Sequence, residues 1–297
     1  QGKGTFVHED YGAVGRRGHG HRLGLVFHKE SSLGDAYHGQ IFEGVRQQAH
    51  DIGMDLVLLR FGEDWRNECQ AYLYVNPLAE QLTKSPRSNR QEHLLPVMVV
   101  GASFDVAGVC CVDSDNAWIG RHAVSHLASL GHRRIGFVGG LGNISNDRDR
   151  FAGFESGMRS LGVDSNCVCR CAGWRMNDGE REVLVAALRR RERPTAIFAA
   201  GYHFALDVYK AAESAGLSIP RDLSVIGVDD PPSAEHLEPA LTTFRQPLVA
   251  LGREAVDKLL TMLSDTRAKP ARTTLLRPDF VARDSTGPAS FSARSDS

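Results

Sequence analysis

Short apolar runs alternating with longer amphipathic segments constrain this chain more than anything else in its sequence. Residues 23–27 are apolar apart from one glycine and read as a strand. After a polar loop, Tyr37, Ile41, Phe42, Val45, Ala49 and Ile52 recur at spacings of three and four. That is the stripe of a helix, which Gly53 closes. Strands follow at 56–59, 97–100, 135–138, 196–199 and 225–228, and helices at 117–130, 151–161, 183–191 and 204–215. Such alternation predicts βαβ units and parallel sheets, with helices covering both faces of the fully apolar strands.

The chain has 297 residues, 42% hydrophobic and 24% charged, with a formal net charge of −1. The length predicts roughly two domains, and the simplest arrangement is two consecutive α/β lobes. The composition excludes a disordered chain, a collagen and a coiled coil. Near-neutrality argues against the chain as a whole being a nucleic-acid grip. No window offers the roughly 18 apolar residues of a membrane span.

Some stretches carry no such period. The N-terminus lacks an apolar leader core, and Gln1 reads as the start of an excised fragment. Residues 8–21 contain four glycines and read as a linker. From Ser285 the chain turns Ser-rich, with Gly and Pro, and reads as a disordered tail. Residues 63–96 suggest a helix around 65–71, a strand at 72–75 and then a polar stretch.

Signals for chemistry are sparse. There is no G-x-S-x-G elbow, no G-x4-G-K-[ST] phosphate loop and no H-E-x-x-H. Gly139, Gly140 and Gly142 follow a strand, but Ser145 breaks G-x-G-x-x-G. Asp229 and Asp230 suit either paired catalytic carboxylates or acceptors for ligand hydroxyls. Cys167, Cys169 and Cys171 would share one face of a strand and could offer three thiolates to a soft metal. The usual C-x2-C spacing and a fourth ligand are missing, so free, half-buried thiols are expected instead. No catalytic group, metal or cofactor is therefore predicted. Ligands of open parallel sheets bind beyond the carboxyl ends of the strands. This rule selects the loops 28–35, 101–104, 139–149, 201–203 and 229–233.

Several motifs point to a family. Val112-Asp113-Ser114-Asp115-Asn116, His126-Leu127 and Gly131-His132-Arg133-Arg134-Ile135 resemble the "DN…HL…GHRRI" signature of the LacI/GalR regulators. Arg150-Phe151-Ala152-Gly153-Phe154 resembles their "RxxGF", and the run from Pro194 to Ala199 their "PTAIFA". The run from Ile219 to Asp230 resembles "IPxDLSVIGxDD"; "PALTT" and "RDS" follow at Pro239 and Arg283. The matches lie in order over roughly residues 22–286.

The resemblance implies a periplasmic binding protein type I-like fold: α/β, two doubly wound parallel-sheet lobes joined by a three-crossing hinge. One lobe would take residues 22–115 and 246–273, the other 116–245 and 274–286, leaving 287–297 as tail. It further implies a small effector, a sugar or sugar derivative, held in the interlobe cleft of a cytoplasmic homodimer that binds operator DNA, most simply as a repressor. Arg150 would fix the ligand and Asp229 would accept from its hydroxyls or amines, with Trp174 stacking on it. Ser32, Tyr37 and His38 would contact it from the other lobe, and Gln246 would sit at a crossing.

Each placement has a plainer rival: Trp174 as surface, Arg150 as a structural ion pair, Tyr37 as core. The sequence also departs from the family. Gly201-Tyr202 replaces a usual Asn-Asp, putting Tyr202 in the site, and Gly101 replaces an acid. The segment from Trp65 to Pro96 is short and lacks the familiar "DGiI" strand. Those departures imply an altered pocket, for a bulkier or less hydroxylated ligand.

The opening Gly2-Lys3-Gly4-Thr5-Phe6-Val7 resembles the wing of a GntR-type winged helix. That makes residues 1–7 the remnant of a DNA reader. The rival readings of the whole chain are a transporter's solute-binding protein and an α/β enzyme using Asp229 and Arg150.

Overall fold

The strand β1 (Arg22–Phe27) is buried from Leu23 to Phe27 and lies inside a six-stranded parallel sheet. The computed structural model describes residues 22–28, 31–63, 69–82, 95–106, 109–140, 142, 144–162, 167–264 and 272–289. Residues 1–21, with the wing and linker readings, lie outside them. So does most of the helix expected around 65–71.

The first sheet combines β1 with β2 (Asp55–Arg60), β3 (Ala71–Val75), β4 (Val97–Val100), β5 (Cys110–Ser114) and β11 (Thr273–Leu276). Its order is β11-β5-β4-β3-β1-β2. Helices α1 (Ala36–Asp51) and α7 (Leu248–Ser264) cover one face. There Ile41, Val45, Leu251 and Val256 meet Leu23, Leu25 and Phe27. The short α2 (Ala79–Leu82) contributes Leu82 to the cluster on the other face, with Val26, Tyr72, Tyr74 and Val99.

The second sheet holds β6 (Ile135–Gly140), β7 (Val168–Cys171), β8 (Ala196–Ala199), β9 (Ser224–Val228), β10 (Thr242–Arg245) and β12 (Asp279–Val281), ordered β12-β10-β9-β8-β6-β7. Only β12 is antiparallel to its neighbour. Helices α3 (Asn116–Ser129) and α4 (Ser145–Leu161) pack on one face, α5 (Asp178–Leu188) and α6 (Tyr202–Ala215) on the other.

The predicted fold is therefore the observed one: two α/β lobes built on parallel sheets. The chain crosses between them three times, after β5, after β10 and after β11. Two expectations need correcting. β11 pairs in register with β5, so the second segment of the first lobe runs to Leu276 and not to 273. The strand expected at 72–75 is β3, at the centre of the first sheet. Its composition, Ala-Tyr-Leu-Tyr-Val, is simply not the familiar motif.

The tail is also ordered further than its composition suggests. Ser285 is fully buried, donating to Val225 O at 2.6 Å and accepting from Thr242 N. Gly287 O meets His132 Nε2 at 3.0 Å, and Ala289 N donates to Leu130 O. Backbone bonding in a polar stretch leaves no hydrophobic period, so composition alone misreads it.

Two glycines set the distance between α3 and α4. A Cβ on Gly153 would meet Ala117 O, and one on Gly120 would meet Arg150 O and Phe154 N. The glycine of "RxxGF" is thus needed for close packing, and it lies one turn beyond Arg150. Overpacking typically costs about 1–3 kcal/mol. Gly153→Ala should lower the unfolding free energy by that amount in a urea titration. Unfolding indistinguishable from the wild type would show that the two helices have room to separate.

Candidate functional site

The carboxyl ends of the two sheets face each other, and the lobes are hydrogen-bonded there. Ser103, just after β4, donates its N–H to Ser145 Oγ at 2.9 Å and its hydroxyl to Asp149 at 3.0 Å. Behind these contacts lies a buried polar chain at the first crossing. Asp115 caps α3 by accepting from Trp118 N at 2.7 Å, which starts the helix at Asn116. The Asn116 amide then donates back to Asp113 Oδ2 at 3.1 Å and accepts from Arg150 Nε at 2.8 Å. Arg150 Nη1 donates to Ala200 O, beyond the end of β8, at 2.9 Å.

Arg150 is 5% exposed, and its Nη2 makes neither of these bonds. Of the two sequence readings for Arg150, the ion pair is replaced by neutral partners, an amide and a carbonyl. Asp113 is 1% exposed, and its carboxyl is pushed up to about 7. Burial is the main cause, opposed by the Ser114 N–H, which lies 2.7 Å away, and by the nearby guanidinium of Arg150.

From the first lobe, Tyr37 donates its hydroxyl to Gly101 O at 3.1 Å. Gly101 has φ +78°, and a Cβ there would collide with the Tyr37 hydroxyl. The phenol therefore fills the space a larger residue 101 would need, which explains the missing acid as a local exchange. Tyr37 also packs on the first core, so both of its sequence readings hold in part. Burial raises the phenol's pKa; Asp113, Asp229 and Asp35 add to the rise and Arg150 opposes it. Groups from both lobes thus act on one side chain.

His38 is held at the start of α1, with Nδ1 2.7 Å from Asp35 and Nε2 3.1 Å from Ser31 Oγ. Ser32 is exposed, and its hydroxyl accepts from Gly34 N.

From the second lobe, Asp229 follows β9 at φ +70°, a left-handed conformation that aspartate tolerates better than most residues. Its carboxylate accepts from Gln246 Nε2 at 2.6 Å, which joins the strand end to the second crossing. Asp230 points elsewhere, pairing with Arg245 and Arg283 at 2.7 Å each. The two neighbours are therefore not a catalytic carboxylate pair.

Tyr202 opens α6 and donates to Ser233 Oγ at 2.7 Å. Trp174 sits on the turn after β7 and is 64% exposed, with none of the site residues as a ring partner. The structure so brings Arg150, Tyr37, Asp229 and Gln246 to the lobe junction. It leaves Ser32 and Trp174 at the surface.

Sequence reasoning passed over other residues here. His203 carries a lowered pKa, first from burial and then from Arg175, opposed by Asp229, Asp207 and Asp35. Asn76 Oδ1 after β3, Ser114 Oγ at the end of β5 and Asn146 Oδ1 in the first turn of α4 are buried. Each lacks a hydrogen-bond partner among the described residues. Such groups call for a ligand or solvent. The "DSDN" motif was the available signal for Asp113 and Asn116; the others had none.

Two open cavities flank this region. One, about 280 Å³, is lined by Ser103, Ser114, Asn116, Asp149 and Thr273. The other, about 390 Å³, lies over β7 and α5. None of the eight predicted residues lines either. Among the described residues no group of three His, Cys, Asp or Glu side chains could hold a metal ion. No helix among them is long and apolar enough to cross a membrane.

The family model for a periplasmic binding protein-like domain matches residues 124–286. The chain belongs to this family. One relative of this family member is the HTH-type transcriptional repressor PurR of Escherichia fergusonii, 28% identical, the match covering 86% of this chain and 78% of that protein. A LacI transcriptional regulator from a Rhodococcus species superposes with TM-score 0.73 at 26% identity, covering 90% of this chain and 99% of that one. A LacI family regulator of Enterococcus faecium with bound ribose shares the fold at TM-score 0.72 and 21% identity, over 90% and 99% of the two chains. With these relatives, the family member is a transcription regulator, not an enzyme or a transporter's solute-binding protein.

Proposed function

We propose that this regulator binds a small effector of the sugar or polyol class in the interlobe cleft, and that effector binding alters the fit of a homodimer to operator DNA. The observation that carries the reading is Arg150: a buried guanidinium fixed by Asn116 and Ala200 O, with Nη2 left over at the junction. A planar donor held in place before the ligand arrives suits hydroxyl or carboxyl recognition. Asp229, oriented by Gln246, supplies an acceptor across from it, and Tyr37 and His38 supply the first lobe's side. Ser32, Tyr202 and Trp174 form the outer rim in this reading, with Trp174 exposed until a ligand covers it. The ribose in the Enterococcus regulator supports the ligand class. Tyr37 filling the place beside Gly101 favours a less hydroxylated ligand than ribose.

Lobe closure about the three crossings is the natural switch, and it requires the ligand to bind one state more tightly than the other. The relative named as a repressor supports repression as the sign of regulation, and the setting is taken as cytoplasmic. The DNA reader is taken as a winged helix on the strength of Gly2-Lys3-Gly4-Thr5-Phe6-Val7. The relatives' description as HTH-type favours a helix-turn-helix instead. The coding sequence upstream of Gln1 decides between them.

A thermal-shift screen over sugars, sugar acids, polyols and nucleobases tests the ligand class, because a ligand of the folded state raises Tm by mass action. For a hit, Asp229→Asn should weaken binding about 10- to 100-fold, the loss of one charge-assisted hydrogen bond. A screen without any stabilising compound, or a hit that Asp229→Asn binds unchanged, would rule out the placement. Sedimentation equilibrium reads the dimer directly.

A further inference from the structure

The three cysteines of 167–171 play no part in the cleft. In the structure β7 is the edge strand of the second sheet, and its cysteines share a face as their spacing predicts. The Sγ atoms of Cys169 and Cys171 lie 3.9 Å apart. Cys171 is fully buried, whereas Cys169 is half-buried and borders the 390 Å³ cavity together with Cys167, Glu180 and Arg190. All three are free thiols. We propose that Cys169 and Cys171 are a dithiol that a hydroperoxide oxidises to a disulfide, and that the new bond resets the turn carrying Trp174.

The bond requires the strand to bend locally. Residues two apart on a strand have Cα atoms about 6.6 Å apart, at the upper end of the roughly 4.4–6.8 Å that disulfides span, and their Cβ atoms must draw in to about 3.5–4.5 Å. The sulfurs must approach to about 2 Å. Among the described residues β7 pairs with β6 alone, so it is free to bend on its other side. Cys169 is the attacking group, since it faces the cavity. The hydrogen bond from Cys171 holds its thiol below the usual range, while the same bond and burial push Cys171 up.

The Cys169 thiolate attacks one peroxide oxygen and the O–O bond breaks. The departing oxygen takes up the thiol's proton and leaves as water or an alcohol. The resulting sulfenic acid is attacked by Cys171: the S–S bond forms, the S–O bond breaks, and water leaves with the Cys171 proton. Two thiols lose two electrons, and the peroxide gains them.

The chain leaves β7 directly into the turn 172–175, where Ala172 N donates to Glu180 Oε1 at 3.0 Å. Drawing Cys171 toward Cys169 pulls on that turn. Any effect on effector binding rests on the cleft reading of Trp174; the disulfide itself does not.

Arg170 between the two cysteines makes the bond directly readable. Trypsin cuts after Arg159, Arg170 and Arg175, giving Ser160–Arg170 with Cys167 and Cys169, and Cys171–Arg175. After hydrogen peroxide and alkylation without reductant, the two peptides should remain joined, with fragmentation placing the bond at Cys169. Dithiothreitol should separate them. Cys169→Ser should abolish the linkage, while Cys167→Ala should retain it. Unlinked peptides with Cys169 still open to alkylation, or a bond through Cys167, would overturn the couple. Native trypsin cleavage after Arg175 should change in rate on oxidation in the wild type and stay constant in Cys169→Ser. An unchanged rate in the oxidised wild type would overturn the coupling to the turn.

Discussion

Arg150→Ala is expected to lower the unfolding free energy by about 3–5 kcal/mol, the range for losing two buried hydrogen bonds to a charged group, and to abolish effector binding. The side chain is 5% exposed, so no solvent replaces its bonds. Truncation leaves Asn116 Oδ1 and Ala200 O without donors. It also removes the positive charge that opposes the raised pKa values of Asp113 and Asp147. Arg150→Lys keeps the charge but not the planar fork, and should recover part of the stability and little of the binding. Urea unfolding with calorimetry of any effector found by screening separates the two losses. An alanine variant within about 1 kcal/mol of the wild type, a difference usual for surface sites, would mean that the guanidinium is not integral to the hinge.

The same residue shows where sequence reading worked. Strands and helices with clean periods were legible, because each had to bury one face or stripe: β1, α1 and α6 begin within two residues of expectation. α4 begins at Ser145, six residues before the expected 151. Its first turn, Ser145, Asn146 and Asp147, is polar and buried at the junction, so no apolar stripe announced it. α7 went unread although Leu251, Val256 and Leu259 form its core stripe.

In the candidate site, motif resemblance pointed to Arg150 and Asp229. It could not show that Asn116 holds Arg150, or that Tyr37 reaches Gly101, since both contacts join residues far apart in sequence. Nor could it show that Trp174 stands exposed, because the turn after β7 has no period from which burial can be read.

Asp113 supplies the second large effect, a reversal of relative stability with pH in Asp113→Asn. Unfolded, the carboxyl titrates near 3.8; folded, it titrates near 7. Between those values the folded chain holds a proton that the unfolded chain has released. Stability from this group is therefore greatest below about pH 4 and falls as the pH rises to about 7, a total of about 4 kcal/mol. Buried histidines slope the other way. Burial lowers the pKa values of His132, His122 and His126, so they lose stability as the pH falls below the unfolded histidine range. The wild-type profile mixes the two signs, and the difference between wild type and variant isolates Asp113.

Asparagine keeps an acceptor for Ser114 N but sets its own amide against that of Asn116, a loss of about 1 kcal/mol. The variant should consequently be slightly less stable at pH 4 and more stable by a few kcal/mol at pH 8, with the curves crossing between. Urea titrations at those two pH values suffice. Parallel curves would show that Asp113 is ionised throughout, and that Arg150 compensates its charge fully despite bonding to Asn116 rather than to the carboxylate.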